Sequence, residues 1–314
     1  MRVLVTSWAS FRNGEATAGD VLGVRRVRAA LAAHGIPDDT AWSPGFRPDG
    51  PRLEDVDPAN YTHLIFVCGP AHGWQVRQLH ERFARCHRIA VGVSVLDPTD
   101  PAVTGFHRVL PRDDGTAAAP DLSLTTETKP VPVVGVVFAP GQREYGARGR
   151  HDRVHDAVSR WLCTVDCARL PLDTRLDPRQ WWSCATADQF TSLVSRMDAV
   201  VTTRLHGLVL ALRAGRPALA VDPIAGGGKV TAQARALDWP ALVSAEQAEV
   251  PGQLDRWWRW CLSPDGLVCA EDVAGRPESG PVASHTEDEQ ITAYPDDALV
   301  AELVRHLAVA ELPA

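Results

Sequence analysis

Val200-Val201-Thr202-Thr203-Arg204-Leu205-His206-Gly207 runs into an apolar stretch ending at Gly215, and Arg216-Pro217-Ala218-Leu219-Ala220-Val221-Asp222-Pro223-Ile224-Ala225-Gly226-Gly227-Gly228-Lys229 follows. The order reads as strand, short turn, buried helix, second strand and glycine-rich turn. Strand–helix–strand units build parallel sheets, and the turns that leave their strands gather along one edge. Arg204, His206 and Lys229 are therefore expected at the same sheet edge, which is where such sheets bind ligands.

The alternation extends outward from this segment. Residues 3–8 read as a first buried strand, and from Gly19-Asp20 onward Val24, Val27 and Leu31 recur at helical spacing until His34-Gly35 stops the run. A second unit has a strand over 62–69, a helix over 72–86 and a strand over 88–94. Such repeats favour a Rossmann-like parallel sheet. Turn-rich sequence at 97–101 and 112–121 leads to a proline-punctuated tract at 122–131, so the expected domains are 1–125 and 126–314. The second domain begins again with a strand at 133–138. Val154, Val158, Trp161 and Val165 then form one helical stripe. Further helices are expected near 186–195 and 230–237, with a strand at 199–202. Leu254, Trp257, Trp258, Cys261 and Leu262 make another apolar helical face. Residues 271–297, poor in aliphatics and rich in acids, predict a long exposed loop before a terminal helix at 297–309.

Composition narrows the function. The chain has 314 residues and a formal charge of -7, with 45% apolar and 23% charged residues. It can bury a large core, whereas general nucleic-acid binding would need a basic surface. The apolar segment at the amino terminus is too short for a membrane span. The cysteines at 68, 86, 163, 167, 184, 261 and 269 form no compact disulfide framework, so the expected compartment is the cytoplasm. Cys163 and Cys167 stand without a Cys-x-x-Cys or His-Glu-x-x-His pattern, and no metal or cofactor is expected. Neither the dinucleotide fingerprint nor the lysine-serine phosphate loop is present.

The run from Val201 through Arg204, His206, Gly215 and Pro217 to Val221, with Lys229 after the next turn, resembles the polysaccharide pyruvyl transferase family. Gly19-Asp20 and Phe66-Val67-Cys68-Gly69-Pro70 add support. The resemblance implies an α/β protein of two Rossmann-like domains facing across a cleft, similar to glycosyltransferases of the B type, with the acceptor on the first domain and the donor on the second. It implies transfer of the enolpyruvyl unit of phosphoenolpyruvate, as co-substrate, to a hydroxyl-bearing acceptor such as a sugar or small metabolite, with release of phosphate. Arg204 and His206 match positions associated with the donor and its chemistry, and Lys229 matches the lysine after the turn. The paired glycines of the family's first domain are represented here by Cys68-Gly69-Pro70, which leaves the acceptor open.

The residue chemistry offers roles and alternatives. Arg204 can grip a carboxylate or phosphate in a fork, or form a helix-end or interdomain ion pair. His206 is a candidate proton donor or acceptor, or a structural histidine at the turn. Lys229 can neutralise phosphate while Gly227 and Gly228 present backbone N–H groups, or it is a surface lysine. Arg143 is a second cation for the donor or part of a solvated loop. Asp20, at the start of the first helix, either caps it or orients an acceptor hydroxyl. Asn13, Gly14, His72 and Trp181 are acceptor-side candidates, against turn, cap or packing roles. A nucleotide-sugar-dependent glycosyltransferase and a non-catalytic carbohydrate or small-molecule binding protein are the other functional readings.

Overall fold

The computed structural model describes residues 1–116, 118–275 and 298–309. The chain divides into two compact units, Met1–Lys129 and Pro130–Ala314.

In the first unit β1 (Val3–Thr6), α1 (Ala18–Ala33), β2 (Asp38–Thr40), β3 (His63–Val67), α2 (Gly73–Arg82), β4 (His87–Ser94), α3 (Pro101–Thr104) and β5 (Arg108–Asp113) follow in order. The strands pair in parallel in the order β2-β1-β3-β4-β5. Successive strand residues face opposite sides of the sheet, and both sides are covered. Leu4, Leu64 and Phe66 pack with Val76 and Leu79 of α2, whereas Val3, Val5 and Val67 pack with Val24 of α1.

The second unit contains β6 (Val133–Val137), α4 (His151–Leu162), β7 (Ala168–Pro171), α5 (Ala187–Val194), β8 (Ala199–Thr202), α6 (Leu205–Arg213), β9 (Ala218–Val221), α7 (Lys229–Ala236), β10 (Leu242–Val243), α8 (Gln253–Cys261), α9 (Pro264–Ala274) and α10 (Ala298–Val309). Its parallel sheet has the order β10-β9-β8-β6-β7. Counted from its own first strand, this is the order of the first unit: second strand outside the first, with third, fourth and fifth on the other side. The protein is thus α/β, with two doubly wound sheets of five strands. In each, the connections run in opposite directions on either side of the first and third strands. The crevice at the carboxyl ends of those two strands is the position that such sheets offer a ligand.

Every residue of β8 and β9 is buried, which is why both read as continuous apolar runs. Several expected boundaries shift. Helix α2 ends at Arg82, and α4 ends at Leu162, so Val165 lies past the helix while still packing on the core. Trp161 donates its indole N–H to Asp255 Oδ1 at 3.0 Å. Trp258 is buried, and Trp257 and Trp260 pack partly buried against the same core. Helix α9 occupies 271–274, the start of the expected loop; the span 276–297 lies outside the described residues. Among the described residues, no helix is long and apolar enough to cross a membrane.

Candidate functional site

The carboxyl ends of β6 and β8 are stitched together by two threonines. Thr202 and Thr203 are both buried. Thr202 Oγ1 accepts from the Arg204 backbone N–H at 2.9 Å and lies 3.1 Å from the Val137 carbonyl, to which it donates. Thr203 Oγ1 accepts from the Ala139 N–H at 2.8 Å. This geometry holds Arg204 in extended backbone as the residue before α6. Gly207 follows in the first turn, where a Cβ would stand 2.2 Å from Thr202 Oγ1, so the close approach of helix to strand end excludes any side chain there.

Arg204, His206 and Lys229 line one cavity of about 330 Å³ together with Gln142 and Thr203. It sits at the carboxyl ends of β6, β8 and β9, at the crevice between first and third strands of the unit. Arg204 is held in place: its Nη1 donates to Asp173 Oδ1 at 2.7 Å, and its side chain is 21% exposed. Asp173 also accepts from Arg175 Nε at 2.7 Å and from the Arg175 backbone N–H at 2.9 Å. Burial alone would raise the Asp173 pKa, but the hydrogen bonds from Arg175 and the charges of Arg175 and Arg204 hold it below the usual carboxylate range. The helix-end ion pair and a place in the cavity are therefore compatible for Arg204. His206 and Lys229 are exposed.

Lys229 owes its position to Asp222, a fully buried carboxylate. Asp222 accepts from the backbone N–H groups of Ile224 at 3.0 Å, Gly228 at 2.7 Å and Thr231 at 2.8 Å, and from Thr231 Oγ1 at 2.7 Å. Arg148 clamps the same turn from outside, donating to the carbonyls of Ala225 at 3.1 Å and Gly227 at 2.7 Å. The expectation that Gly227 and Gly228 offer free N–H groups to an anion is corrected here. The Gly227 N–H is bonded to the Ile224 carbonyl at 2.8 Å and that of Gly228 to Asp222, because the protein supplies its own carboxylate to the turn.

Arg143 does not line the Arg204 cavity. It belongs to an adjoining open depression of about 490 Å³, with Arg150 and Arg153 at the start of α4, and Gln142 forms the shared wall. Sequence reading missed two histidines on α4, His151 in the lining of the Arg143 depression and His155 against Thr203 of the Arg204 cavity. His155 lies with Nε2 3.1 Å from Thr203 Oγ1 and stacks on Phe138 at 4.6 Å. His151 is buried, with Nε2 unpartnered. Burial lowers the pKa of both, the nearby carboxylates only partly opposing it. Neither lies in the motif around Arg204, and only the packing of α4 on β6 brings them in.

The remaining candidates divide between the units. Asn13 and Gly14 line a cavity of about 420 Å³ in the first unit. Gly14 is required there because a Cβ would meet the Trp8 carbonyl oxygen at 1.8 Å, so its closeness serves backbone rather than ligand. Asp20 is not the cap of α1: Thr17 caps the helix, accepting from the Asp20 N–H at 3.2 Å and donating to Asp20 Oδ2 at 2.8 Å. Asp20 lines neither cavity. His72 precedes α2, and its Nδ1 lies 2.8 Å from Asp100 Oδ2, outside the first-unit cavity. Trp181 is 90% exposed, its ring edge-on to Trp182 at 5.7 Å, and lines neither cavity. Among the described residues, no group of histidine, cysteine and carboxylate side chains is arranged to hold a metal ion.

Residues 173–223 match the family model described as polysaccharide pyruvyl transferase. The match begins at Asp173, the partner of Arg204, and runs through β8, α6 and β9. The chain is similar to the solved structure of the spinosyn rhamnosyltransferase SpnG, at 11% identity over 98% of this chain and 100% of that chain, with a TM-score of 0.34. It is similar to the same protein complexed with thymidine diphosphate, at 11% identity over 87% of this chain and 95% of that one, TM-score 0.30. A third similarity is to the E. coli heptosyltransferase WaaC with ADP, at 13% identity over 84% of this chain and 100% of that chain, TM-score 0.25. A search of curated proteins returns no match.

Proposed function

We propose that the protein transfers the pyruvyl unit of phosphoenolpyruvate to a hydroxyl-bearing acceptor, with release of phosphate. The observation that carries this reading is the convergence of Arg204, His206 and Lys229 on one cavity at the carboxyl edge of the second sheet, within and just beyond the segment matching the pyruvyl transferase family. Phosphoenolpyruvate brings a carboxylate and a phosphate. Arg204, already oriented by Asp173, grips one anion through its remaining N–H groups, and Lys229 neutralises the other as a mobile point charge.

His206 delivers a proton to C3 of the enol, and an acceptor hydroxyl oxygen bonds to C2, its proton passing to the imidazole nitrogen just vacated. The C2–O bond to phosphorus then breaks, the electron pair leaving with phosphate. A second hydroxyl of the acceptor closes on C2, its proton going to the departing phosphate, to give the ketal. The side chains that line the cavity meet this demand for charge and proton handling.

Nucleotide-sugar-dependent glycosyl transfer is the competing reading, favoured by one feature: Arg143, Arg150 and Arg153 surround the start of α4, where no side chain caps the helix. Calorimetric titration separates the two. Saturable phosphoenolpyruvate binding, weakened roughly 100-fold in Arg204→Ala, is expected from the loss of charge-assisted hydrogen bonds of about 1.5–3 kcal/mol each. His206→Ala is expected to bind donor and lose turnover. Nucleotide-sugar binding without phosphoenolpyruvate binding would overturn the proposal.

A further inference from the structure

The first unit repeats the strand order of the second, and it too has a cavity, lined by the loop after β1, the segment between β2 and β3, and one face of α2. That cavity has a different chemistry. Its apolar lining is Trp8, Phe11, Leu53 and Leu79, with Trp74 beside them. Phe11, Leu53 and Leu79 are buried at 9%, 7% and 3% exposure, whereas Trp74 is 57% exposed. Trp8 is fixed: its indole N–H donates to the Pro70 carbonyl at 3.0 Å, and its ring meets Phe11 edge-on at 5.3 Å. The one polar atom of that side chain is therefore already used.

The charged lining cancels. Arg12 and Arg82 stand against Glu15 and Glu54, and Arg82 is further occupied by the carbonyls of Glu54 at 2.7 Å and Val56 at 2.6 Å. Unlike the Arg204 cavity, this one has no excess charge to attract an anion. Its uncharged polar side chains are amides: Asn13 from the loop after β1, and Gln75 and Gln78 one helical turn apart on α2. A volume of about 420 Å³ with apolar walls and a few amides fits one compact organic ligand.

We propose that this cavity binds the acceptor, and that the acceptor is a neutral ring system with an apolar face and two neighbouring hydroxyls, an aromatic or alicyclic diol, in preference to a free sugar. The word acceptor rests on the pyruvyl-transfer reading; the binding itself does not. A sugar carries hydroxyls around most of its ring, and those turned toward Phe11, Leu53, Leu79 and the spent indole N–H of Trp8 would lose water without gaining a partner. A ring with an apolar face stacks on the indoles and keeps its hydroxyls among the amides of Asn13, Gln75 and Gln78.

The test uses the full chain and calorimetric titration with 2-naphthol, methyl glucopyranoside and phosphoenolpyruvate as separate probes. Saturable 2-naphthol binding is expected, roughly tenfold tighter than the glucoside. Trp74→Ala, at an exposed position, should weaken it roughly tenfold, and Asn13→Trp, which fills the cavity from an exposed loop, should abolish it. Arg204→Ala should leave it within about twofold, since that residue lies outside the cavity. Circular dichroism establishes that each variant is folded. Absence of 2-naphthol binding, indifference to both cavity variants, or tighter binding of the glucoside would each overturn the assignment. Phosphoenolpyruvate titrated into the same samples reports on the donor cavity, so failure of either reading is seen apart from the other.

Discussion

Replacing Asp222 should damage both the stability of the second unit and its donor cavity, and the size of the effect follows from the bonds the carboxylate accepts. Asp222 is fully buried and takes three backbone N–H groups and one hydroxyl. In Asp222→Ala the Thr231 hydroxyl can turn elsewhere, but the N–H groups of Ile224, Gly228 and Thr231 lose their acceptor. An orphaned buried donor costs about 1–3 kcal/mol, while relief from burying a carboxylate offsets part of the sum, leaving about 3 kcal/mol. For a unit of this size, that corresponds to roughly 6–12 °C in melting temperature. Asp222→Asn should cost about half as much. Its amide oxygen can serve Gly228 and Thr231, where Oδ2 now accepts three bonds, leaving only the Ile224 N–H facing an NH₂ group. Differential scanning calorimetry reads the shift, and phosphoenolpyruvate titration below the transition reads the displacement of Lys229, which adjoins Gly228. A folded Asp222→Ala protein melting within about 2 °C of the parent, with unchanged donor affinity, would refute the view that this carboxylate builds the turn.

Asp173→Asn keeps a hydrogen-bond acceptor for Arg204 and removes a negative charge beside the donor cavity, so phosphoenolpyruvate affinity should rise several-fold on titration; a fall would mean that the charge itself is needed to orient Arg204. Gly207→Ala places a methyl group 2.2 Å from Thr202 Oγ1 and should lower stability by about 1–3 kcal/mol in urea unfolding, an unchanged midpoint counting against the close packing of α6 on β8. Acidification should destabilise the second unit through His151 and His155. Both have folded pKa values lowered from 6.5 by burial, so the unfolded chain binds more protons as pH drops. Their contribution is present above pH 6.5 and lost as pH falls through the folded values. Melting temperatures of His151→Phe and His155→Gln between neutral and mildly acidic pH should therefore fall less steeply than the parent's, and parallel curves would be evidence against this.

The strands that could be read from the sequence share one property. β1, β3, β4, β6, β8 and β9 are interior to their sheets, and each carries an apolar stretch, fully buried in β1, β8 and β9 and partly buried in β3, β4 and β6. The four that sequence reading left out, β2, β5, β7 and β10, are the four sheet edges. Three of these edges, paired on one side only, carry charge: β2 is Asp38-Asp39-Thr40, with Arg2 and Arg28 paired to its carboxylates, β5 holds Arg108, Arg112 and Asp113, and all four residues of β7, Arg169 among them, are exposed, while β10 is only Leu242-Val243, too short to show a period. Such segments lack the hydrophobic pattern by which strands are recognised.

The site divides in the same way. Arg204, His206 and Lys229 lie in one strand–helix–strand–turn unit, and local sequence order was enough to bring them to one sheet edge. The partners that fix them come from elsewhere: Asp173 from the end of an edge strand, Arg148 from the loop before α4, and His155 from α4 itself. These pairings span many residues of chain and leave no periodicity to read. Asp20, His72 and Trp181 show the converse, since each had plausible chemistry and a suggestive neighbour, yet Thr17, Asp100 and solvent account for their surroundings. By itself the sequence determined the alternation of elements, the interior strands and the triad edge, because hydrophobic period and turn chemistry are local. Only tertiary structure decided the sheet order, the separation of a cationic cavity from a neutral aromatic one, and which donors were already spent, because those depend on which distant strand ends lie side by side.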